Sequence, residues 1–142
     1  MQWTAKNFKM EIMKKKTNTN SPIKGLGNDI IEIDRIQKAI DRHGQNILDR
    51  LFTVKEQKYC LKFKDAITHF AGRFAAKEAV AKALGVGLGT DLLWKDIEIL
   101  NDKNGKPEVN FSSSVIKKFD DPKILISISH SKKHAIATAI FM

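Results

Sequence analysis

Cysteine is all but missing from this chain: Cys60 stands alone among 142 residues. No internal disulfide can form, so the sequence reads as that of a protein from a reducing compartment, with the cytoplasm as the default. Long hydrophobic runs are missing as well. None approaches the ~18 residues of a membrane-spanning helix, and the early lysines are followed by no apolar segment of the kind a secretory signal carries, so no membrane is expected as a partner. Aromatic residues are few, 8% of the chain with two Trp and one Tyr, and they form no basic-aromatic recognition motif. That scarcity argues against a nucleic-acid-binding module, which a net charge of +9 would otherwise invite. The charge is also unevenly spread. Lys6, Lys9, Lys14, Lys15, Lys16 and Lys24 against Glu11 place +5 of it in the first 24 residues and leave only +4 for the remainder. A mildly basic body leaves room for a smaller acidic or phosphorylated partner.

The length fits one domain that buries about two thirds of its unfolded surface. Residues 1–22 mix Lys, Asn and Thr with few apolar positions and end at Ser21-Pro22, so they read as a loose basic extension, with the folded domain over 23–142.

What is plentiful is alanine, concentrated in RFAAKEAVAKALG, residues 73–85. The stretch is free of Gly and Pro until its last position, so it should be helical, with Asp65 as the cap of a helix that carries on to Leu84. At about 100° per residue, Ile67, Ala71, Phe74 and Ala81 share one stripe, and Glu78 falls in the middle of it. Burying an unpaired polar group there would cost about 2–7 kcal/mol, and a charge more, so Glu78 needs a cation. Two readings are open: an i,i+4 pair with Lys82, worth about 0.2–0.5 kcal/mol, or ligation of a divalent metal, which wants carboxylate oxygens. The second requires another carboxylate. Asp29 is available, in the segment IKGLGNDIIEI, where Gly25 and Gly27 interrupt β-branched residues as in a strand that another backbone approaches closely. A turn or capping role for Asp29 competes with ligation.

Asp34 opens a further helix with Ile36, Ala39, Ile40 and His43 on its apolar stripe and Gly44 as its stop; His43 reads as a partly buried packing residue. Arg35, Lys38 and Arg42 align on a neighbouring face, which is either a solvated surface or a docking face for an acidic partner. Leu48, Leu51 and Phe52 make a short apolar connection, and Thr53 with Glu56 writes a capping box for a helix through Phe63, on which Cys60 is a small core residue. The glycines of Gly85-Val86-Gly87-Leu88-Gly89 follow a helix, whereas phosphate-binding loops precede one, so Gly85 is first a C-cap. Lys95 to Leu100 alternates as a strand, Asn104-Gly105 turns the chain, and Pro107 to Phe111 returns it. Ser112 caps a short helix through Phe119, and two strands, LISISH and HAIATAIF, follow around a tight turn at Ser131 to Lys133. Helices followed by mixed strands make a single α+β domain, helices packed on a small mixed or antiparallel sheet.

Ser127, Ser129 and His130 lack the G-x-S-x-G elbow of a serine hydrolase, and adjacency of Ser and His is poor evidence for a triad. Two carboxylates (Asp29, Glu78), several cations (Arg73, Lys82, Lys106), a glycine loop and a histidine together suit phosphoryl chemistry. A transferase or another metal-dependent phosphate enzyme, such as a nucleotide pyrophosphatase, would use that inventory.

Four stretches carry a family resemblance. Gly27-Asn28-Asp29 through Arg35, then Arg73-Phe74-Ala75-Ala76-Lys77-Glu78-Ala79 with Lys82, Ala83 and Gly85, then Gly105-Lys106-Pro107, then Ser127-Ile128-Ser129-His130, resemble in order the signatures of the bacterial holo-acyl-carrier-protein synthases, small phosphopantetheinyl transferases. The resemblance implies that fold, transfer of phosphopantetheine from coenzyme A to a serine of apo acyl carrier protein with release of adenosine bisphosphate, a role in fatty acid biosynthesis, and a homotrimer with sites between subunits. It further implies Mg²⁺ held by Asp29 and Glu78, Glu78 as acceptor of the serine proton, and Lys82 as donor to the bridging or leaving oxygen. Arg73, Gly85, Lys106, Pro107, Ser129 and His130 would lie around the nucleotide, and Arg35 and Arg42 would dock the carrier. This chain departs from the family pattern at Asn28, where Thr is common, at Gln45, where the basic run often continues, and at Ser131, where some relatives have an acid.

Overall fold

In the computed structural model, which describes Thr4 and residues 21–142, the strand that opens the fold lies beside the strand that closes it. β1 (Gly25–Glu32) pairs antiparallel with β5 (His134–Phe141), Asp29 opposite Ala137, and β5 pairs antiparallel with β4 (Ile124–His130), giving the order β1-β5-β4. β2 (Ile97–Asn101) and β3 (Pro107–Phe111) form a separate antiparallel hairpin, with Gly105 at φ 83° in its turn. Four helices lie between β1 and β2: α1 (Ile33–His43), α2 (Gln45–Leu51), α3 (Val54–Leu61) and α4 (Ala66–Leu84); α5 (Ser113–Lys118) follows β3. The class is α+β, as the sequence implies, with antiparallel sheets. Apart from Thr4, Ser21 and Pro22, the basic extension over 1–22 lies outside the described residues. No helix among the described residues is long and apolar enough to cross a membrane.

α4 is the post on which the rest is hung. One apolar stripe understates it, because Phe70, Arg73, Ala76, Lys77, Ala79 and Leu84 are buried on different sides of the cylinder, as in a helix enclosed by its domain. Small residues make this possible. β1 presents Gly25 and Gly27 to the helix, and β5 presents Ala135, Ala137 and Ala139, all buried. A Cβ at Gly27 would sit 1.8 Å from the Ala79 carbonyl oxygen, and one at Gly25 1.9 Å from that of Ala83. β1 therefore rests on the helix backbone itself, the close approach its glycines announce. Larger side chains fill the opposite flank, where Phe70 meets Phe52 with ring centroids 4.9 Å apart and Phe74 stacks on Trp94 at 4.7 Å.

Several local expectations hold. Thr53 and Glu56 form the reciprocal capping box of α3, Gly85 ends α4 in the left-handed region at φ 75°, and Cys60 is buried, its thiol pushed up to about 12 by desolvation. Others are corrected. Residues 45–51 are a helix rather than a connection, because Leu48 and Leu51 at i,i+3 both bury against the core and Gln45 bonds Asp49 one turn on. His43 is exposed. It sits at the end of α1 where Gly44, at φ 58°, turns the chain away. Asp65 does not cap α4 with its side chain; the carboxylate lies 3.5 Å from His69 Nε2 instead. Likewise the Ser112 hydroxyl bonds that of Ser114 and leaves α5 without a side-chain cap.

Candidate active site

Alternation along β1 sends residues 25, 27, 29 and 31 toward α4, so the strand that glycines hold against the helix also delivers Asp29 to it. Lys82, in the last turn of α4, donates to Asp29 Oδ1 at 3.1 Å and to the Asn28 carbonyl at 2.9 Å. The Asp29 side chain is 17% exposed and that of Lys82 53%. Glu78 lies one turn before Lys82. Partial burial raises its pKa above the ordinary glutamate value, the negative charge of Asp29 raises it further, and Lys82 opposes both. Two carboxylates far apart in sequence are thus electrostatic neighbours. Lys82 forms its ion pair with the strand, and Glu78 takes part in none of the ion pairs among the described residues. Asn28 points to the other face of β1, where its amide donates to Thr138 Oγ1 at 2.7 Å and to the Ala137 carbonyl at 3.1 Å, tying the strand to β5 beside Asp29.

Among the described residues no cluster of three or more His, Cys, Asp and Glu side chains gathers as a metal site. Two hard oxygen donors with solvent access fit one kind of ion well. Mg²⁺ is held by one or two carboxylates while keeping waters or phosphate oxygens in its remaining positions.

Arg73 lies on another face, about 140° round the helix from Glu78. Its guanidinium stacks 4.1 Å from the centroid of Tyr59 and bonds Asn101 Oδ1, while Nε is buried with no partner among the described residues. Asn101 in turn donates to the Gly105 carbonyl, which links Arg73 to the turn bearing Lys106; that lysine is exposed, and Pro107 begins β3. His130, at the end of β4, is exposed with its ring 6.5 Å from that of His69. Ser129 precedes it in the same strand and therefore faces the opposite side of the sheet. Gly85 is exposed at the end of α4, on the side of Lys82. The sequence-derived residues thus fall into two groups: Asp29, Glu78, Lys82 and Gly85 around the end of α4, and Arg73 with His130 near the helix start. Lys106 and Ser129 join neither group directly.

Sequence reasoning missed the long-range contacts behind these groups. Lys77 and Glu56 form an ion pair at 2.7 Å, and Lys77 also donates to the carbonyls of Leu51 and Trp94 at 2.7 and 3.1 Å. Glu56 accepts from the backbone N–H groups of Thr53 and Ile99 as well. Burial draws the Lys77 ammonium below the usual lysine value, and Glu56 pushes it back up. His69 stacks on Phe63 at 3.8 Å; burial lowers its pKa, Asp65 counters, and the charges of Arg73 and His130 add to the lowering. A signal existed, since His69, Arg73 and Lys77 recur at i,i+4 as a polar row on an otherwise apolar helix.

On α1, Arg35, Lys38 and Arg42 are exposed and line a shallow hollow of about 700 Å³ with Ala39, Asp41 and His43. Gln45 is not free to extend that row: its amide donates to Asp49 Oδ1 and Gln57 Oε1, each at 2.8 Å.

The family model of the 4'-phosphopantetheinyl transferase superfamily matches residues 25–139, and the chain belongs to that family. It is 56% identical over 117 residues to the holo-acyl-carrier-protein synthase of Protochlamydia amoebophila, covering 82% of this chain and 96% of that protein. Among solved structures, the Helicobacter pylori holo-acyl-carrier-protein synthase in complex with coenzyme A is 35% identical with a TM-score of 0.75, covering 82% of this chain and 99% of that one. The synthase of Bacillus anthracis, in complex with CoA (3',5'-ADP), is 38% identical with a TM-score of 0.71, covering 84% and 96%.

Proposed function

We propose that the protein is a holo-acyl-carrier-protein synthase, transferring phosphopantetheine from coenzyme A to a serine of apo acyl carrier protein and releasing adenosine 3',5'-bisphosphate, in the cytoplasm and in support of fatty acid synthesis. The observation that carries the reading is that the charge of Asp29 acts on Glu78, with Lys82 bonded from the helix to the strand, in a chain whose relatives are named for this activity. In the reaction the serine Oγ forms a bond to the β-phosphorus of coenzyme A, the bond from that phosphorus to the bridging oxygen breaks, and the adenosine bisphosphate leaves with the bridging electron pair. Asp29 and Glu78 would hold Mg²⁺. Bound there, the ion would supply positive charge to the pyrophosphate oxygens. Glu78 takes the serine proton, directly or through a water, a role suited to a carboxylate whose pKa is raised. Lys82 donates to the bridging or leaving oxygen. Asp29 accepts from the Lys82 ammonium and so ties it to the strand.

The nucleotide would be bound by Arg73 with Gly85, Lys106, Pro107, Ser129 and His130. In one chain Arg73 and His130 look away from Glu78. A homotrimer, in which a neighbouring subunit brings the second group to the first, reconciles them. The outer face of the β1-β5-β4 sheet supports that assembly, since Leu26, Ile30, Leu125 and Ile136 lie exposed on it. Carrier protein would dock on Arg35 and Arg42 through its acidic helix.

The test is the intact mass of apo acyl carrier protein after incubation with the protein, coenzyme A and Mg²⁺, with and without a chelator. A mass gain of one phosphopantetheine, lost with chelator and in Glu78→Ala, is expected. An unmodified carrier, or Glu78→Ala at wild-type rate, sinks the reading.

A further inference from the structure

Lys82 has chosen the less local of two carboxylates. Glu78, four residues before it, offers the favourable order for a helical ion pair, yet the ammonium lies 3.1 Å from Asp29 Oδ1 and 2.9 Å from the Asn28 carbonyl. Two acceptors on the edge strand outbid one on the helix. The consequence is that Asp29 is already neutralised by a cation of this chain, while Glu78 is left facing the charge of its neighbour.

We propose that Lys82 is the resident counter-cation of Asp29 and competes with a divalent ion for the same carboxylate oxygen, so that the ammonium is released toward substrate phosphate only when the ion displaces it. The proposal rests on the reading that Asp29 and Glu78 hold a divalent ion. Three properties of the pair make it displaceable. Lys82 is half exposed and mobile about a four-carbon stem, so no core packing is lost when it swings out. An exposed single pair is weakly held. A divalent ion would bring twice the charge to the two carboxylates, whereas the ammonium bonds one of them and only partly offsets the effect of Asp29 on Glu78. Lys82 is then more than a donor fixed beside the phosphate: it keeps Asp29 neutralised until metal arrives, and its charge becomes available to substrate with the metal in place.

The test uses the full chain without coenzyme A and titrates Mn²⁺, following the electron paramagnetic resonance of the free ion. Lys82→Met should bind Mn²⁺ about two- to fivefold more tightly than wild type, the weight of one exposed ion pair, although its transfer activity falls. Equal or weaker Mn²⁺ binding by Lys82→Met overturns the competition. A second readout needs no variant to fold: with ¹³C-labelled lysine, the ε-methylene signal of Lys82 in the wild-type protein should shift on Mg²⁺ addition, and a stationary signal overturns the release. Asp29→Asn and Glu78→Gln separate the underlying reading. If both bind Mn²⁺ as wild type does, the carboxylate site itself is wrong and the competition falls with it.

Discussion

Lys77 Nζ lies 2.7 Å from Glu56 Oε1, with both side chains wholly buried. The pair joins α3 to α4, and its remaining bonds reach the end of α2, the turn before β2, and β2 itself. Removing one partner strands the other charge. Lys77→Met should therefore cost about 3–5 kcal/mol in urea denaturation. Adding Glu56→Leu should not restore stability, because the Thr53 and Ile99 N–H groups and the Leu51 and Trp94 carbonyls would lose partners, at about 1–3 kcal/mol for each one left buried and unsatisfied. A double variant as stable as wild type would show that the pair is replaceable by packing.

Two glycines of the chain should respond oppositely to a single methyl group. At Gly27 the new Cβ meets the Ala79 carbonyl oxygen at 1.8 Å, backbone against backbone, and β1 must lift off α4. Gly27→Ala should cost about 3 kcal/mol or more and separate Asp29 from Glu78. At Gly72, inside α4, the nearest atom is the Ile128 Cγ2 at 3.2 Å, a side chain that can yield. Gly72→Ala gains about 1 kcal/mol of helix propensity and should be neutral or slightly stabilising. Thermal unfolding of both variants checks the contrast.

Ionised Glu78 works against the fold. Its pKa is raised in the fold, first by burial and then by Asp29, so ionising it opposes folding. The cost is present above the folded pKa and vanishes as pH falls toward the ordinary glutamate value of 4.5. In chelator at neutral pH, Glu78→Gln should be more stable than wild type by on the order of 0.5 kcal/mol, a rise in Tm of about 2 °C. Scanning calorimetry should find that advantage shrinking as the buffer is acidified through the folded pKa of Glu78. Transfer by the same variant should be nearly abolished.

The face of α1 should govern the carrier and leave coenzyme A alone. Arg35→Glu and Arg42→Glu should each raise KM for acyl carrier protein about tenfold, and raised salt should narrow the difference from wild type. Gln45→Ala should leave that KM unchanged, since its amide is turned inward to Asp49 and Gln57. Steady-state kinetics with each substrate varied in turn decides both.

Local chemistry was legible in the sequence. Gly25 and Gly27 announced a backbone contact, Thr53-x-x-Glu56 its capping box, and Asn104-Gly105 its hairpin, because each signal lies within a few residues of its effect. Partnerships at long range were not. Nothing in the spacing of Glu56 and Lys77 reveals that they meet, and Thr53-x-x-Glu56 explains only half of what that glutamate does. Lys82 follows Glu78 at the spacing of a helical pair, yet its ammonium went to a strand that glycine brings within reach, a contact no helical periodicity encodes. The amphipathic reading of α4 did not show the burial of Arg73 for a related reason, since a helix enclosed on all sides has no single face to find. For the same cause, the two-residue burial of Leu48 and Leu51 was too short to stand out as α2.

β1 and β5 are neighbours in the sheet but lie about 110 residues apart along the chain. At about 5–20 residues per second, the first strand leaves the ribosome roughly 5–20 s before the last one exists to pair with it. Throughout that interval the nascent chain carries an open edge with Leu26 and Ile30 on one side and bare glycine on the other. Folding of the sheet is therefore withheld until β5 has been made, and a message cut short before β5 yields a product whose first strand has nowhere to go.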